Sequence, residues 1–178
     1  MSDPAYYARQ ERLRDGTPVE VRALRATDEG DMLAALEQTS VQSLQRRFFA
    51  PKRHFSDKER AFFMAIDFKT HVALVVLAED AGRQAIVGGG RYVVTEPGQA
   101  ELAFVVIDAW QGRGIGSLLM RRLIDLAREA GLHELTAEVL SENASMLSVF
   151  DKAGFKPAKR RDPQTIHLAL SLDERPMI

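Results

Sequence analysis

The chain has 178 residues, 46% hydrophobic and 28% charged, the balance of a globular domain able to bury a core without covalent staples. Its formal net charge of −1 leaves no whole-chain electrostatic footprint for nucleic acid or an anionic membrane. Cysteine is absent, which excludes disulfides, thiolate metal sites and a cysteine nucleophile. No apolar run approaches membrane-spanning length and the N-terminus has no signal-peptide core, so a cytoplasmic protein is expected. The length suits a single domain over 11–178, after a loose polar tail at 1–10. The oligomeric state is left open.

In chain order, 11–24 reads as a hairpin that turns at Asp15-Gly16, with Val19, Val21 and Ala23 alternating on its second strand. A helix follows over 26–38, with Thr27 or Asp28 as N-cap and Met32, Leu33 and Leu36 on its apolar face. The segment 41–49 suggests a second short helix. A third spans 56–66, where Ser56 and Glu59 have capping-box spacing. The runs 71–79, 84–96 and 99–108 read as strands, the last two joined through Pro97-Gly98. Gly88-Gly89-Gly90 interrupts the middle run and marks a bulge or a close approach. A helix over 115–130 ends at Gly131, a strand covers 133–140, a helix over 143–153 closes at Gly154, and a last strand covers 165–172. This order predicts an α/β (α+β layered) domain with a mixed sheet.

The stretch DAWQGRGIGSLL (108–119) carries three glycines in five residues directly before a helix. Helix N-termini have unpartnered N–H groups and the positive end of the helix dipole, and glycines let an anion approach them. Arg113 is placed to add a charge-assisted contact. Spacing alone also fits a tight turn packed on glycine. The pattern lacks the lysine of a P-loop and the spacing of a dinucleotide fingerprint.

Gln111-Gly112-Arg113-Gly114-Ile115-Gly116 resembles the Gln/Arg-x-x-Gly-x-Gly/Ala motif of the GNAT superfamily of N-acetyltransferases. ENASMLSVFDKAGF (142–155) resembles the superfamily's later motif, an asparagine followed by a helix ending in Gly-Phe, and the order of elements from 18 to 172 agrees. The resemblance implies a mostly antiparallel sheet with helices on both faces and one splayed parallel strand pair, 99–108 and 133–140. It implies acetyl-CoA in that splay. The backbone of Phe104, Val105 and Val106 would pair with the pantetheine amides. The N–H groups of Gly112, Arg113, Gly114, Ile115, Gly116 and Ser117, introduced by Gln111, would hold the pyrophosphate. Asn143 matches the asparagine that contacts the cofactor arm, and an N-cap role for it is compatible with that.

The implied chemistry is attack of a neutral amine on a thioester, which needs a base to take the ammonium proton. Glu101 matches the glutamate of related lysine acetyltransferases and is the first candidate. Glu138, on the facing strand, is the second. Many relatives carry a tyrosine seven residues after the motif asparagine as the acid for the leaving thiolate. Here that position is Phe150, which the resemblance would place against the cofactor and which has no proton to give. The wording of 101–116 and of LRDGTPVEVR (13–22) is similar to the acetyltransferase domains of bacterial protein lysine acetyltransferases. A protein lysine is thus the leading acceptor. A small amine, or a weakly catalytic acyl-CoA sensor, is the alternative. Arg46, Arg47 and Phe48 fall where the family lines its acceptor side, although by themselves they read as a surface helix with an aromatic anchor. His54, His71, His133 and His167 have no ligand spacing, so no metal is expected. Lys159, Arg160 and Arg161 read as a solvated loop.

Overall fold

The β-branched run that begins at His71 is buried on both sides, as a strand deep within a sheet must be, and the other strands assemble around it. The computed structural model describes residues 3–40, 43, 45, 47, 55–158 and 163–173. Eight strands form one sheet: β1 (Ala8–Arg12), β2 (Pro18–Ala23), β3 (His71–Asp80), β4 (Arg83–Glu96), β5 (Gln99–Val106), β6 (Glu134–Leu140), β7 (Lys156–Pro157) and β8 (Thr165–Ser171). Their order is β1-β2-β3-β4-β5-β6-β8-β7, antiparallel throughout except for the parallel pair β5–β6. Four α-helices lie among the described residues: α1 (Glu29–Glu37), α2 (Asp57–Met64), α3 (Ile115–Glu129) and α4 (Ala144–Ala153).

Side-chain alternation along β4 and β5 assigns the helices to two faces. Phe104 packs edge-on against Phe150 of α4, and Gly90 opposite it faces Leu123 of α3. Arg91, the next residue of β4, donates to the Phe63 carbonyl of α2 and approaches Met32 Sδ of α1, so α1 and α2 cover the other face. α3 buries Ile115, Leu118, Leu119, Met120, Leu123, Ile124, Leu126 and Ala127, a broad apolar stripe at helical spacing. The expected capping box at Ser56 and Glu59 is formed. Asp28 stands at the start of α1 but makes no side-chain cap bond. Its carboxylate instead accepts from Arg22 at 2.7 and 2.8 Å and from the Arg25 backbone N–H.

One expectation needs correction. Residues 8–10 are not loose, because they belong to β1, which pairs with β2 from Ala8↔Arg22 to Arg12↔Pro18. This edge strand is exposed nearly throughout, so it lacks the apolar alternation that signals a strand. The bulge and close approach expected at the glycine triplet are both present. Val87 is an extra residue between the pairs Val76↔Gly88 and Leu77↔Ile86, and the strand continues through the bulge. A Cβ on Gly88 would lie 2.9 Å from Ile115 Cγ2, and one on Gly90 would lie 2.6 Å from Phe104 Cδ1. Gly88 lets the first residue of α3 sit close on the sheet, and Gly90 makes room for the Phe104 ring and Leu123. The expected helix at 41–49 falls mainly outside the described residues, as do Arg46, Phe48, His54 and the 159–161 triplet.

Candidate active site

Pairing between β5 and β6 stops at Glu101↔Thr136, yet β5 runs on to Val106 and β6 to Leu140. Beyond that point the two strands part. β6 is fully paired to β8 on its other side, so the splay exposes strand edges inside the molecule. The cleft that results has a volume of about 360 Å³. Phe104, Val105 and Val106 form one wall, Val139 lies on the other, and α4 contributes Asn143 and Phe150. Gln111, Gly112, Gly114, Ile115, Gly116 and Ser117 line one end, and Glu101 and Glu138 line the cleft as well.

At the glycine end the chain turns through left-handed conformations at Gly112 (φ +75°) and Gly114 (φ +92°), the latter capping α3. Leu118 is the first residue of α3 whose N–H reaches back, to the Gly114 carbonyl at 3.0 Å. The N–H groups of 112–117 have no described acceptor. This is the unpartnered set that an anion can fill. Gln111 Nε2 donates to the Val106 carbonyl and to Ser43 Oγ, both at 3.0 Å, and so ties the turn to the end of β5.

The Arg113 side chain does not line this end. Its guanidinium donates to Asp15 Oδ2 and Thr17 Oγ1, both at 2.8 Å, and stacks over Trp110 at 4.0 Å from the ring centroid. Bonds from Thr17 and Arg113 hold the Asp15 carboxyl down to about 2. The docking that diverts Arg113 brings the neighbouring hairpin residue to the glycines: Arg14 lines the cleft, with Nε 3.2 Å from where a Cβ on Gly114 would sit. Arg14 is the functional candidate that the sequence reading missed. Only a tertiary contact across about a hundred residues reveals it.

At the strand end, burial raises the Glu101 carboxyl above the usual range, and the Glu138 carboxylate adds to the effect. Arg47 and His167 pull the other way without prevailing. The side chain still reaches solvent through the open cleft. Glu138 is engaged differently: His167, its cross-strand partner, places Nδ1 3.2 Å from its Oε1. Asn143 is buried and caps α4, its Oδ1 accepting from the Met146 N–H at 3.4 Å and from Ser145 Oγ. Its Nδ2 has no partner among the described residues. Phe150 is 2% exposed, held edge-on between Phe104 and Phe155 at centroid distances of 5.8 and 4.8 Å.

The family model for the acetyltransferase (GNAT) family matches residues 38–155. The chain belongs to the GNAT acetyltransferases. An acetyltransferase of Pseudomonas aeruginosa is 32% identical over 162 residues, covering 88% of this chain and 86% of that one. The acetyltransferase Pat of Mycolicibacterium smegmatis is 32% identical over 150 residues, 77% of this chain but only 43% of that protein. Among solved structures, the GNAT domain of S. lividans PAT superposes with a TM-score of 0.84 at 32% identity, covering 92% of this chain and 96% of that one. As a GNAT enzyme the chain carries out acetyl-CoA-dependent N-acetylation.

The residues present fit that cosubstrate. A phosphate would find the N–H groups of 112–117 and Arg14. An extended arm would find the open edge of β5, whose course from Val106 to Glu101 spans roughly 16 Å. Among the described residues no group of histidines and carboxylates is placed to hold a metal ion, and no helix is long and apolar enough to cross a membrane.

Proposed function

We propose that the chain acetylates the side-chain amine of a protein lysine by direct transfer, with Glu101 as the base and with acetyl-CoA and the acceptor bound together. One observation carries the reading: a carboxyl whose proton affinity burial raises stands where the parallel strands part. A carboxylate of raised pKa takes a proton from an ammonium, directly or through one water, more readily than an ordinary glutamate does. Glu138, already engaged by His167, raises Glu101 rather than replacing it. Similarity to Pat and to the GNAT domain of PAT supports protein lysine as the acceptor. The cytoplasm is the compartment this reading implies.

The other roles follow from the same geometry. Acetyl-CoA supplies the acyl group as an activated thioester. The N–H groups of Gly112, Arg113, Gly114, Ile115, Gly116 and Ser117 hold the pyrophosphate, and Arg14 supplies the cation first assigned to the Arg113 side chain. The β5 edge at Phe104, Val105 and Val106 takes the pantetheine amides as an added strand would. Asn143 combines its cap with a contact from Nδ2 to the arm. Arg14→Gln should weaken CoA binding by about three- to tenfold, and the deficit should shrink as salt is raised, since an exposed charge contact is screened. Titration calorimetry at two ionic strengths checks this.

Phe150 leaves the departing thiolate without a side-chain acid at that position. A free thiol has a pKa of about 8.5, so the thiolate departs without one. Phe150→Tyr should keep CoA affinity within about threefold of wild type, as its ring packs beneath the cleft rather than on the phosphates. A severe loss in calorimetry would mean that Phe150 holds the cofactor directly.

Thiol release from acetyl-CoA tests the reading when measured with a lysine peptide, polyamines and free amino acids, and with mass spectrometry to find the acetylated nitrogen. Acetylation of the peptide Nζ at the highest kcat/KM supports it. Preference for a small amine would replace the acceptor. Binding without turnover of any amine would favour a sensor.

A further inference from the structure

The cations of the core differ in how they are balanced. Arg22 is paired with Asp28 at 2.7 Å and Arg122 with Glu11, so each has a carboxylate. Arg91 has none among the described residues. It donates to the Phe63 carbonyl at 3.1 Å, meets His71 Nε2 at 2.9 Å, approaches Met32 Sδ at 4.0 Å and stacks 5.3 Å from the Phe63 ring centroid, all neutral groups. His71 is itself kept neutral, its pKa lowered to about 4 by burial and by Arg91, against the pull of Asp67. Among the described residues, the charge that acts on Arg91 is another cation, Arg47. Burial and repulsion from Arg47 bring Arg91 down to about 9, and burial brings Arg47 to about 10 with Glu101 opposing.

The two arginines also line one passage. A second cavity, of about 60 Å³, lies on the α1 and α2 face, walled by apolar side chains such as Met32, Leu36, Phe63 and Val105, with Arg91 at its lining. Arg47 lines both this cavity and the main cleft, and so stands where the two adjoin. Arg91 pairs with Ala103, two residues along β5 from Glu101 and on the same face, a distance of about 7 Å along the strand. This is the face opposite α3, away from the phosphate end.

We propose that Arg47 and Arg91 form a carboxylate subsite on the acceptor side, which seats an acidic group of the acceptor while its amine faces Glu101. Two planar guanidinium groups in an apolar enclosure match a carboxylate in geometry as well as charge. The cavity has room for about two waters at ~30 Å³ each, enough for a carboxylate and its methylene. The source is an Asp or Glu side chain next to the target lysine or the acceptor's own α-carboxylate. This inference rests on the assignment of Glu101 as the base, and the protein-lysine reading favours the first source.

The test uses the full chain with saturating acetyl-CoA and two matched pairs: a lysine peptide with Glu neighbours against the same peptide with Gln, and free lysine against lysinamide. The subsite predicts a KM at least about fivefold lower for the carboxylate member of the pair that is used, and Arg47→Gln should abolish the difference. Preference within the peptide pair identifies a neighbouring acidic side chain. Preference within the amino-acid pair alone identifies the α-carboxylate and rejects protein lysine while keeping the subsite. Arg47→Gln should also move the acidic limb of kcat/KM to higher pH. Of the charged groups that face Glu101, which are Glu138, Arg47 and His167, it removes one that lowers its pKa.

Arg91→Gln also removes bonds to Phe63 and His71, so Arg91→Lys and acetate inhibition of the wild-type enzyme serve beside it. Acetate should compete with the acceptor and not with acetyl-CoA. It should also raise the melting temperature of the wild type but not of Arg47→Gln, whether or not an acceptor has been found. Equal KM values within both pairs, or no effect of acetate on melting, would overturn the proposal.

Discussion

Glu101→Gln should bind acetyl-CoA normally and lose roughly 10²–10⁴-fold in turnover near neutral pH, the usual contribution of a positioned base. The substitution keeps the side chain's size and hydrogen-bonding reach and removes its proton affinity. Raising the pH should restore part of the loss, because a free lysine has a pKa of about 10.4 and more of the acceptor is then already neutral. In the wild type, the acidic limb of kcat/KM should lie above the pH at which an ordinary glutamate titrates, about 4.3, since burial and Glu138 both raise Glu101. Glu138→Gln is the matched control. It should lose much less, and by removing a like charge it should move that limb downward. Turnover against pH for both variants with one acceptor decides between them. A large, pH-rescued defect in Glu138→Gln alone would reverse the assignment.

Gly114→Glu should weaken CoA binding at least about tenfold, or roughly 1.4 kcal/mol. At φ +92° any side chain is strained, and the new Cβ would lie 3.2 Å from Arg14 Nε. The introduced carboxylate would therefore crowd the unpartnered N–H groups and pair with the cation that serves them. Calorimetry on a variant that keeps the wild-type circular dichroism spectrum measures the effect. Unchanged affinity would remove the phosphate assignment.

The strands and helices that build the cleft are legible because each carries its own local signal. β3 is a β-branched run, α3 has helical spacing between a glycine turn and Gly131, and α2 opens with a capping box. Glu101, Glu138 and Asn143 are legible because their strand and cap positions follow from those elements. Three features are not. β1 is an exposed edge strand with no face to bury, so its pattern is polar. That Arg14 rather than Arg113 lines the cleft depends on how the hairpin docks through Asp15 and Thr17, a long-range contact with no local signature. Arg47 reads as a surface residue for the same reason, because the cavities that make it notable come from β4, β5 and α1.

The most direct test of the account is a crystal structure with CoA. The account predicts the pyrophosphate on the N–H groups of 112–117 with Arg14 against it, and the pantetheine arm along Phe104, Val105 and Val106. It predicts the sulfur at the point where β5 and β6 part, with Glu101 within one water of the position an amine would take. A sulfur that faces Glu138 while Glu101 points away, or a cofactor bound outside the β5–β6 splay, would contradict it.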